Sequence, residues 1–334
     1  MNRHLPVLAA AFVIAFTGPH SAAAQTAAPS IGGAPLTRIG VVVRDVQKAA
    51  EVYADIFQLS SVPAVSSVTI ASPKGAVTVK RAVVSLPNTR IEVDQPEVAS
   101  GPAADYLGKH GQGIYRVGFS TPDAIESRVA ALEKAGGTLT AGSRNGTFAW
   151  VDLTSTLGTT IEIQREGPAN MSGGTPAAPD GDKVALGSTA MSHLGWAVTN
   201  ADDVAKNFAM ALGIPMPTVR DYTPVEIPPN YTADPSATLR LTSWKQANTG
   251  IELIQSMGQT NWTDFVARHG KNSAPQHLAF QVGDKLEETV RLFQSKGAAW
   301  TNGKLGGSYM YLDFTESLGI IFELNGSWGT APAQ

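Results

Sequence analysis

The chain repeats itself, and the repeated unit restricts the fold more than any other feature. TRIGVVVRDVQKAAEVYADIFQL (37–59) matches SHLGWAVTNADDVAKNFAMALGI (192–214), and DYLGKHGQGIYRVGFSTPDAIESRVAALEKAGG (105–137) matches DFVARHGKNSAPQHLAFQVGDKLEETVRLFQSKGA (264–298). Each copy reads as a short apolar strand, a turn able to cap a helix, and an amphipathic helix. Strand-like runs fill the intervals: AVTVKRAVVSL, TRIEVD, TFAWVDL and TTIEIQ in the first half, ATLRLTSW, GIELIQ, YMYLDF and IIFELN in the second. The pattern predicts a β-α-β-β-β unit present four times, two per half.

A chain of 334 residues is long enough for two domains, since single domains hold on the order of 100–200 residues. Between the halves, REGPANMSGGTPAAPDGDKVALGST has Gly, Pro and Ala without periodicity and reads as a linker. The N-terminus places Arg3 and His4 before an apolar run from Leu5 to Phe16, followed by Ala22, Ala23 and Ala24. This is the pattern of a secretory signal peptide cleaved after Ala24, because the run falls short of the roughly 20 residues a membrane-spanning helix needs. The expected order is a signal peptide (1–24), a flexible N-terminus (25–35), a first domain (36–165), a linker (166–189), a second domain (190–327) and a tail (328–334). The mature protein is expected to be exported, periplasmic in a Gram-negative source, and without a membrane span. A homodimer is left open.

The net charge of -3 offers no basic face for nucleic acid. Cysteine is absent, so disulfides and thiolate chemistry are excluded, and any metal must be held by His, Asp or Glu.

Paired βαβββ modules with His on the first strand (SHLGWAV, PQHLAFQ) and Glu on the last (TTIEIQ, IIFELN) resemble the vicinal oxygen chelate superfamily, which includes glyoxalase I, methylmalonyl-CoA epimerase, extradiol dioxygenases and bleomycin-resistance proteins. DFVARHG before PQHLAF, and the long approaches DLTSTLGTTIEI and DFTESLGIIFEL, are most similar to the epimerase branch. The resemblance covers about 36–165 and 190–327. It implies an α+β fold of two tandem domains, each with a cupped mixed sheet and helices outside. It also implies a divalent metal in the second domain, held by His193, Glu252, His277 and Glu323, with Glu252 and Glu323 both candidates for the catalytic base.

The residues support that set independently. Each lies on a mainly apolar strand, where alternation aims it at one face. Two buried carboxylates without partners are prohibitive unless protonated or neutralised, and a dication supplies the missing charge. Imidazole and carboxylate suit Zn, Ni, Co, Mn or Fe. Taken singly, His277 reads as a hydrogen-bonded core histidine; four such residues at matching module positions favour the metal site.

The first domain has Arg38, Glu92, Arg116 and Glu162 at the corresponding positions. Guanidinium offers no lone pair to a metal. Two arginines balance two glutamates as a dication would, so a buried salt-bridge network is expected, with capture of an anionic ligand as the alternative. The Pro-rich segment 221–241, with Tyr222 and Tyr231, reads as a lid or a long hairpin. His110 and His269 read as helix-end caps. Trp196, Trp244, Trp262 and Trp300 read as core, with the lining of a pocket as the alternative.

The resemblance implies proton transfer at a carbon next to a carbonyl in a small oxygenated metabolite, by an isomerase, epimerase or lyase. The alternatives are an Fe(II) or Mn(II) ring-cleaving dioxygenase and a non-catalytic sequestering protein of the bleomycin-resistance type.

Overall fold

The computed structural model describes residues 31–166, 186–222 and 236–328. The expected signal peptide, most of the linker, the middle of the Pro-rich segment with Tyr231, and nearly all of the tail lie outside the described residues. Among the described residues no helix is long and apolar enough to cross a membrane.

The first half contains β1 (Leu36–Val42), α1 (Val46–Phe57), β2 (Ser66–Ile70), β3 (Val77–Ser85), β4 (Arg90–Pro96), α2 (Pro102–His110), β5 (Gly113–Thr121), α3 (Glu126–Lys134), β6 (Thr138–Gly142), β7 (Phe148–Leu153), α4 (Thr154–Leu157) and β8 (Thr159–Arg165). The second contains β9 (Met191–Val198), α5 (Ala201–Leu212), β10 (Arg220–Tyr222), β11 (Leu239–Lys245), β12 (Gly250–Ser256), α6 (Asn261–Arg268), β13 (Ser273–Gly283), α7 (Leu286–Ser295), β14 (Ala299–Gly303), β15 (Tyr309–Phe314), α8 (Thr315–Leu318) and β16 (Ile320–Gly326). The strands form two mixed sheets of the same order, β2-β3-β4-β1-β5-β8-β7-β6 and β10-β11-β12-β9-β13-β16-β15-β14. The first strands of the two modules meet antiparallel at the centre of each sheet, β1 on β5 and β9 on β13. The fold is α+β, two tandem domains of the expected module.

Local chemistry sets the module. Asp45 Oδ1 accepts from Lys48 N at 3.0 Å to cap α1, and Asn200 Oδ1 accepts from Asp203 N at 3.2 Å to cap α5. Helical spacing then buries Ala49, Tyr53 and Phe57 of α1 and Val204, Phe208 and Leu212 of α5. These helices, with α3 and α7, cover the outer faces of the sheets in one core that runs through both halves. The inner faces have separate clusters. There α6 packs Trp262, Phe265 and Val266 onto Ala197, Ile254, Ala274, Tyr311 and Ile321, and α2 packs Ala103 and Tyr106 onto Val42, Tyr115 and Trp150. Thus α2 and α6 close one end of each cup, while the other long helices lie outside.

The halves join through equivalent turns. Gly158 and Gly319 end α4 and α8 in the left-handed region (φ 74° and 72°), and a Cβ on either would meet the backbone of the opposite half, Ser273 O or Gly113 N. Lys271 Nζ donates to Gly158 O at 2.6 Å, and Gln112 Nε2 donates to Glu316 O at 2.6 Å. His269 acts as the expected cap, with Nδ1 2.8 Å from Phe265 O in its own helix, and His110 Nδ1 lies 2.6 Å from His269 O. Trp196 is core, its indole N–H donating to Leu157 O across the junction at 3.0 Å.

Candidate metal centre

His193 on β9, Glu252 on β12, His277 on β13 and Glu323 on β16 converge on the inner face of the second sheet, their ligand atoms all within 4.8 Å of one another. The register explains the convergence. Glu252 pairs with Gly195, two residues along β9 from His193, and Gly195 also pairs with His277. A Cβ on Gly195 would lie 1.9 Å from His277 Cε1, so glycine there gives the imidazole its place.

Both histidines present Nε2 to both carboxylates. His193 Nε2 lies 3.0 Å from Glu323 Oε2 and 3.5 Å from Glu252 Oε2, and His277 Nε2 lies 3.2 and 3.6 Å from the same atoms. Ligand atoms about 2.1 Å from a shared ion stand about 3.0 Å apart at a right angle and about 3.4 Å apart in a tetrahedron. The spacing therefore suits a first-row dication.

The far side of each ring is supported. His277 Nδ1 faces Gln276 Oε1 at 3.1 Å, which fixes the N–H there and leaves the Nε2 lone pair for the cup. That Nε2 is fully buried and, although 3.2 Å from Glu323 Oε2, is out of line for a hydrogen bond and has no partner among the described residues. His193 Nδ1 lies 3.4 Å from Ser192 Oγ, which donates to Ala279 O. Tyr311 OH donates to Glu323 Oε2 at 3.0 Å and Asn325 Nδ2 to Glu323 Oε1 at 2.9 Å.

Electrostatics say the same. Burial opposes charge on His193, yet the carboxylates of Glu323 and Glu252 raise its pKa to about 10. Burial also opposes ionisation of Glu323, but His193 and its hydrogen bonds hold it well below the usual carboxylate range. The two glutamates call for positive charge, and without an ion His193 must carry it. The donor set fits a divalent metal.

In the first domain the corresponding space is filled. Arg116, 0 % exposed, bonds Glu162 through Nη1 and Glu92 Oε2 through Nη2 at 2.6 Å. Arg38, 2 % exposed, pairs with Glu166 and lies 3.6 Å from Glu92 and 3.9 Å from Glu162. Arg81 reaches Glu92 at 3.0 Å and Asp94 at 2.6 Å, and Arg90 reaches Glu92 at 2.9 Å. The network is wider than the four residues legible from module alignment: Arg38, Arg81, Arg90 and Arg116 balance Glu92, Asp94, Glu162 and Glu166. Burial disfavours the Glu92 carboxylate, but Arg116 and Arg81 hold it far below its usual range.

Residues 37–151 match the family model of the Glyoxalase/Bleomycin resistance protein/Dioxygenase superfamily. This segment is a vicinal oxygen chelate domain. The second half repeats its strand order, so the chain has the tandem vicinal oxygen chelate fold. Among solved structures, a triple variant of 4-hydroxymandelate synthase from Streptomyces coelicolor is similar over 90% of this chain and 95% of that one, at 14% identity and a TM-score of 0.57. A xylose isomerase-like TIM barrel/4-hydroxyphenylpyruvate dioxygenase fusion protein is similar over 92% of this chain and 51% of that one, at 12% identity and a TM-score of 0.49. At 14% identity the likeness to the 4-hydroxymandelate synthase variant is one of fold. A comparison with curated proteins finds no match. The superfamily match distinguishes no branch, the epimerase branch included.

Sequence reasoning found the four cup residues and missed their supports. Tyr311, Asn325 and Gln276 each lie within one strand, or one or two residues, of a ligand position. The shared glycines Gly40 and Gly195 were the available signal for close packing under Arg116 and His277.

Proposed function

We propose that the second domain holds a divalent metal through His193, Glu252, His277 and Glu323, and that the protein is an isomerase, epimerase or lyase. It moves a proton next to a carbonyl in a small oxygenated metabolite. The observation that carries this reading is the unequal support of the two glutamates. Glu323 is tied on both oxygens by Tyr311 and Asn325. Among the described residues, Glu252 accepts no hydrogen bond, and its Oε2 only faces His193 Nε2 at 3.5 Å and His277 Nε2 at 3.6 Å.

A metal bound here would act as a Lewis acid towards two neighbouring substrate oxygens and stabilise the negative charge left by the departing proton. Glu323, anchored, keeps its place. Glu252 can turn away without breaking a bond to the rest of the protein, so its carboxylate takes the proton from carbon and returns it to the same or the neighbouring atom. The leader-like N-terminus supports placing this activity outside the cytoplasm, in the periplasm of a Gram-negative source.

A second reading has a specific basis. His193, His277 and the anchored Glu323 alone form a two-histidine, one-carboxylate face suited to Fe(II) and oxygen, and dioxygenases belong to the matched superfamily. In that case Glu252 is not needed as a base.

One substitution separates the two. In heavy water, the Mn-loaded protein is expected to exchange the α-proton of a small 2-hydroxy or 2-keto acid, read by proton NMR. Glu252→Gln is expected to keep the metal and slow exchange by about 100-fold or more, the usual scale of a lost general base. Oxygen uptake with catechols that survives Glu252→Gln would replace the proton-transfer reading with the dioxygenase.

A further inference from the structure

We propose that Asn302 and Trp262 form a second recognition point in the same cup, binding an uncharged oxygen, a carbonyl or hydroxyl, on the part of the substrate remote from its chelating oxygens. The inference rests on the metal reading of the second domain and adds to it the class of molecule selected.

Asn302 is 0 % exposed. Its Oδ1 accepts from Gly303 N at 2.7 Å, which fixes the amide orientation and leaves Nδ2 as the free donor. That Nδ2 has no partner among the described residues. Asn302 pairs antiparallel with Tyr311, so both side chains stand on one face, and Tyr311 is the residue that donates to Glu323. Trp262, on α6, is 3 % exposed, packs its ring 5.4 Å from that of Tyr311, and also leaves its indole N–H without a partner. Two buried donors thus flank the tyrosine that braces the metal set. Buried donors without acceptors are rare and require an explanation.

The first domain supplies the internal contrast. Ala141 pairs with Trp150 where Asn302 pairs with Tyr311, and Ala103 holds the α2 position that corresponds to Trp262. Trp150 Nε1 also lacks a partner, but that ring lies against the Arg116 guanidinium, 4.4 Å from centroid to Cζ, in a filled cup. The added amide and indole donors therefore occur in the domain whose cup can hold a metal.

Their chemistry narrows the ligand. An amide N–H and an indole N–H are neutral donors, suited to a carbonyl or hydroxyl oxygen rather than a phosphate. Ala197, Ile254 and Ile321 make the neighbouring inner face apolar. The strand of Asn302 is two strands from that of Glu323, about 10 Å at ordinary strand spacing. The fitting molecule is compact, with two vicinal oxygens at one end, an apolar body, and a hydrogen-bond acceptor at the other.

Hydroxamates, which present two adjacent oxygens to a metal, provide the probes. Calorimetry on the Zn-loaded full chain would compare 4-acetylbenzohydroxamate with 4-isopropylbenzohydroxamate, which have similar shape and differ in the terminal oxygen. The acetyl compound is expected to bind about tenfold tighter to the native protein, the scale of one well-placed hydrogen bond. Asn302→Ala and Trp262→Phe are each expected to shrink that ratio while leaving the isopropyl affinity within about twofold, since apolar contacts and chelation remain. Equal binding of the two probes to native protein, or an unchanged ratio in both variants, overturns the inference. Failure of both probes to bind native protein overturns the metal reading itself, and the inference falls with it.

Discussion

A His277→Ala variant is expected to purify without divalent metal, whereas native protein carries about one ion per chain, the stoichiometry of a single four-ligand site. His277 is fully buried, its Nδ1 is oriented by Gln276, and its Nε2 faces both carboxylates without a partner. Its removal deletes one of four donors and leaves the space beside Gly195 open. Gly195→Ala is expected to do the same without touching a ligand, because the added Cβ would fall 1.9 Å from His277 Cε1 and force the ring out. Elemental analysis reads both results. A second measurement excludes general damage: a chelator should lower the Tm of native protein, because a ligand at 100 times its Kd adds about 2.7 kcal/mol, and should not move that of either variant. Full metal content in His277→Ala would sink the assignment. Metal uptake should also release a proton and weaken as pH falls. In the ion-free site the carboxylates of Glu323 and Glu252 outweigh the opposing effect of burial and raise the His193 pKa to about 10. The ion must displace that proton.

Most of the fold was legible in the sequence because the repeat doubled every signal. A strand that is ambiguous alone, such as SHLGWAV, becomes assignable when TRIGVVV stands at the same place in another copy. The four candidate ligand positions were legible for the same reason, since His193, Glu252, His277 and Glu323 occur at matching module positions and converge in the second sheet. Contacts set by tertiary register were not legible. Tyr311 reaches Glu323 because β15 pairs with β16 at that step, and Arg81 joins Glu92 and Asp94 because β3 lies beside β4. Neither the pairing nor a one-residue shift in it can be read from a single strand. The same limit hid the positions of α2 and α6. Their amphipathic pattern shows that each buries a face, but not that the face closes the inside of a cup.

The first domain yields the other large effect. Arg116→Met is expected to destabilise the protein by about 3–5 kcal/mol, the usual result of breaking a buried ion pair from one side. The guanidinium is fully buried and joins Glu92 to Glu162, so its loss leaves two buried carboxylates sharing the remaining arginines. Adding Glu162→Gln removes one uncompensated charge and should restore part of the loss, so the two substitutions will not be additive. The sign of the pH dependence follows from Glu92. Burial works against its ionisation, but Arg116 and Arg81 carry its folded pKa far below the ordinary value of 4.5. A carboxylate lowered in the folded state contributes stability above its unfolded pKa and loses it as pH falls towards the folded one. The gap between native protein and Arg116→Met should therefore be widest at neutral pH and narrow steadily below about pH 4.5, as Glu92 takes up its proton in the unfolded chain. Urea unfolding at neutral pH and at about pH 3 would show this. A gap that stays constant would mean that Arg116 stabilises the first domain by filling space alone. Arg38→His with Arg116→His is not expected to create a second metal site, because Arg81 and Arg90 remain 3.0 and 2.9 Å from Glu92 and keep its charge neutralised.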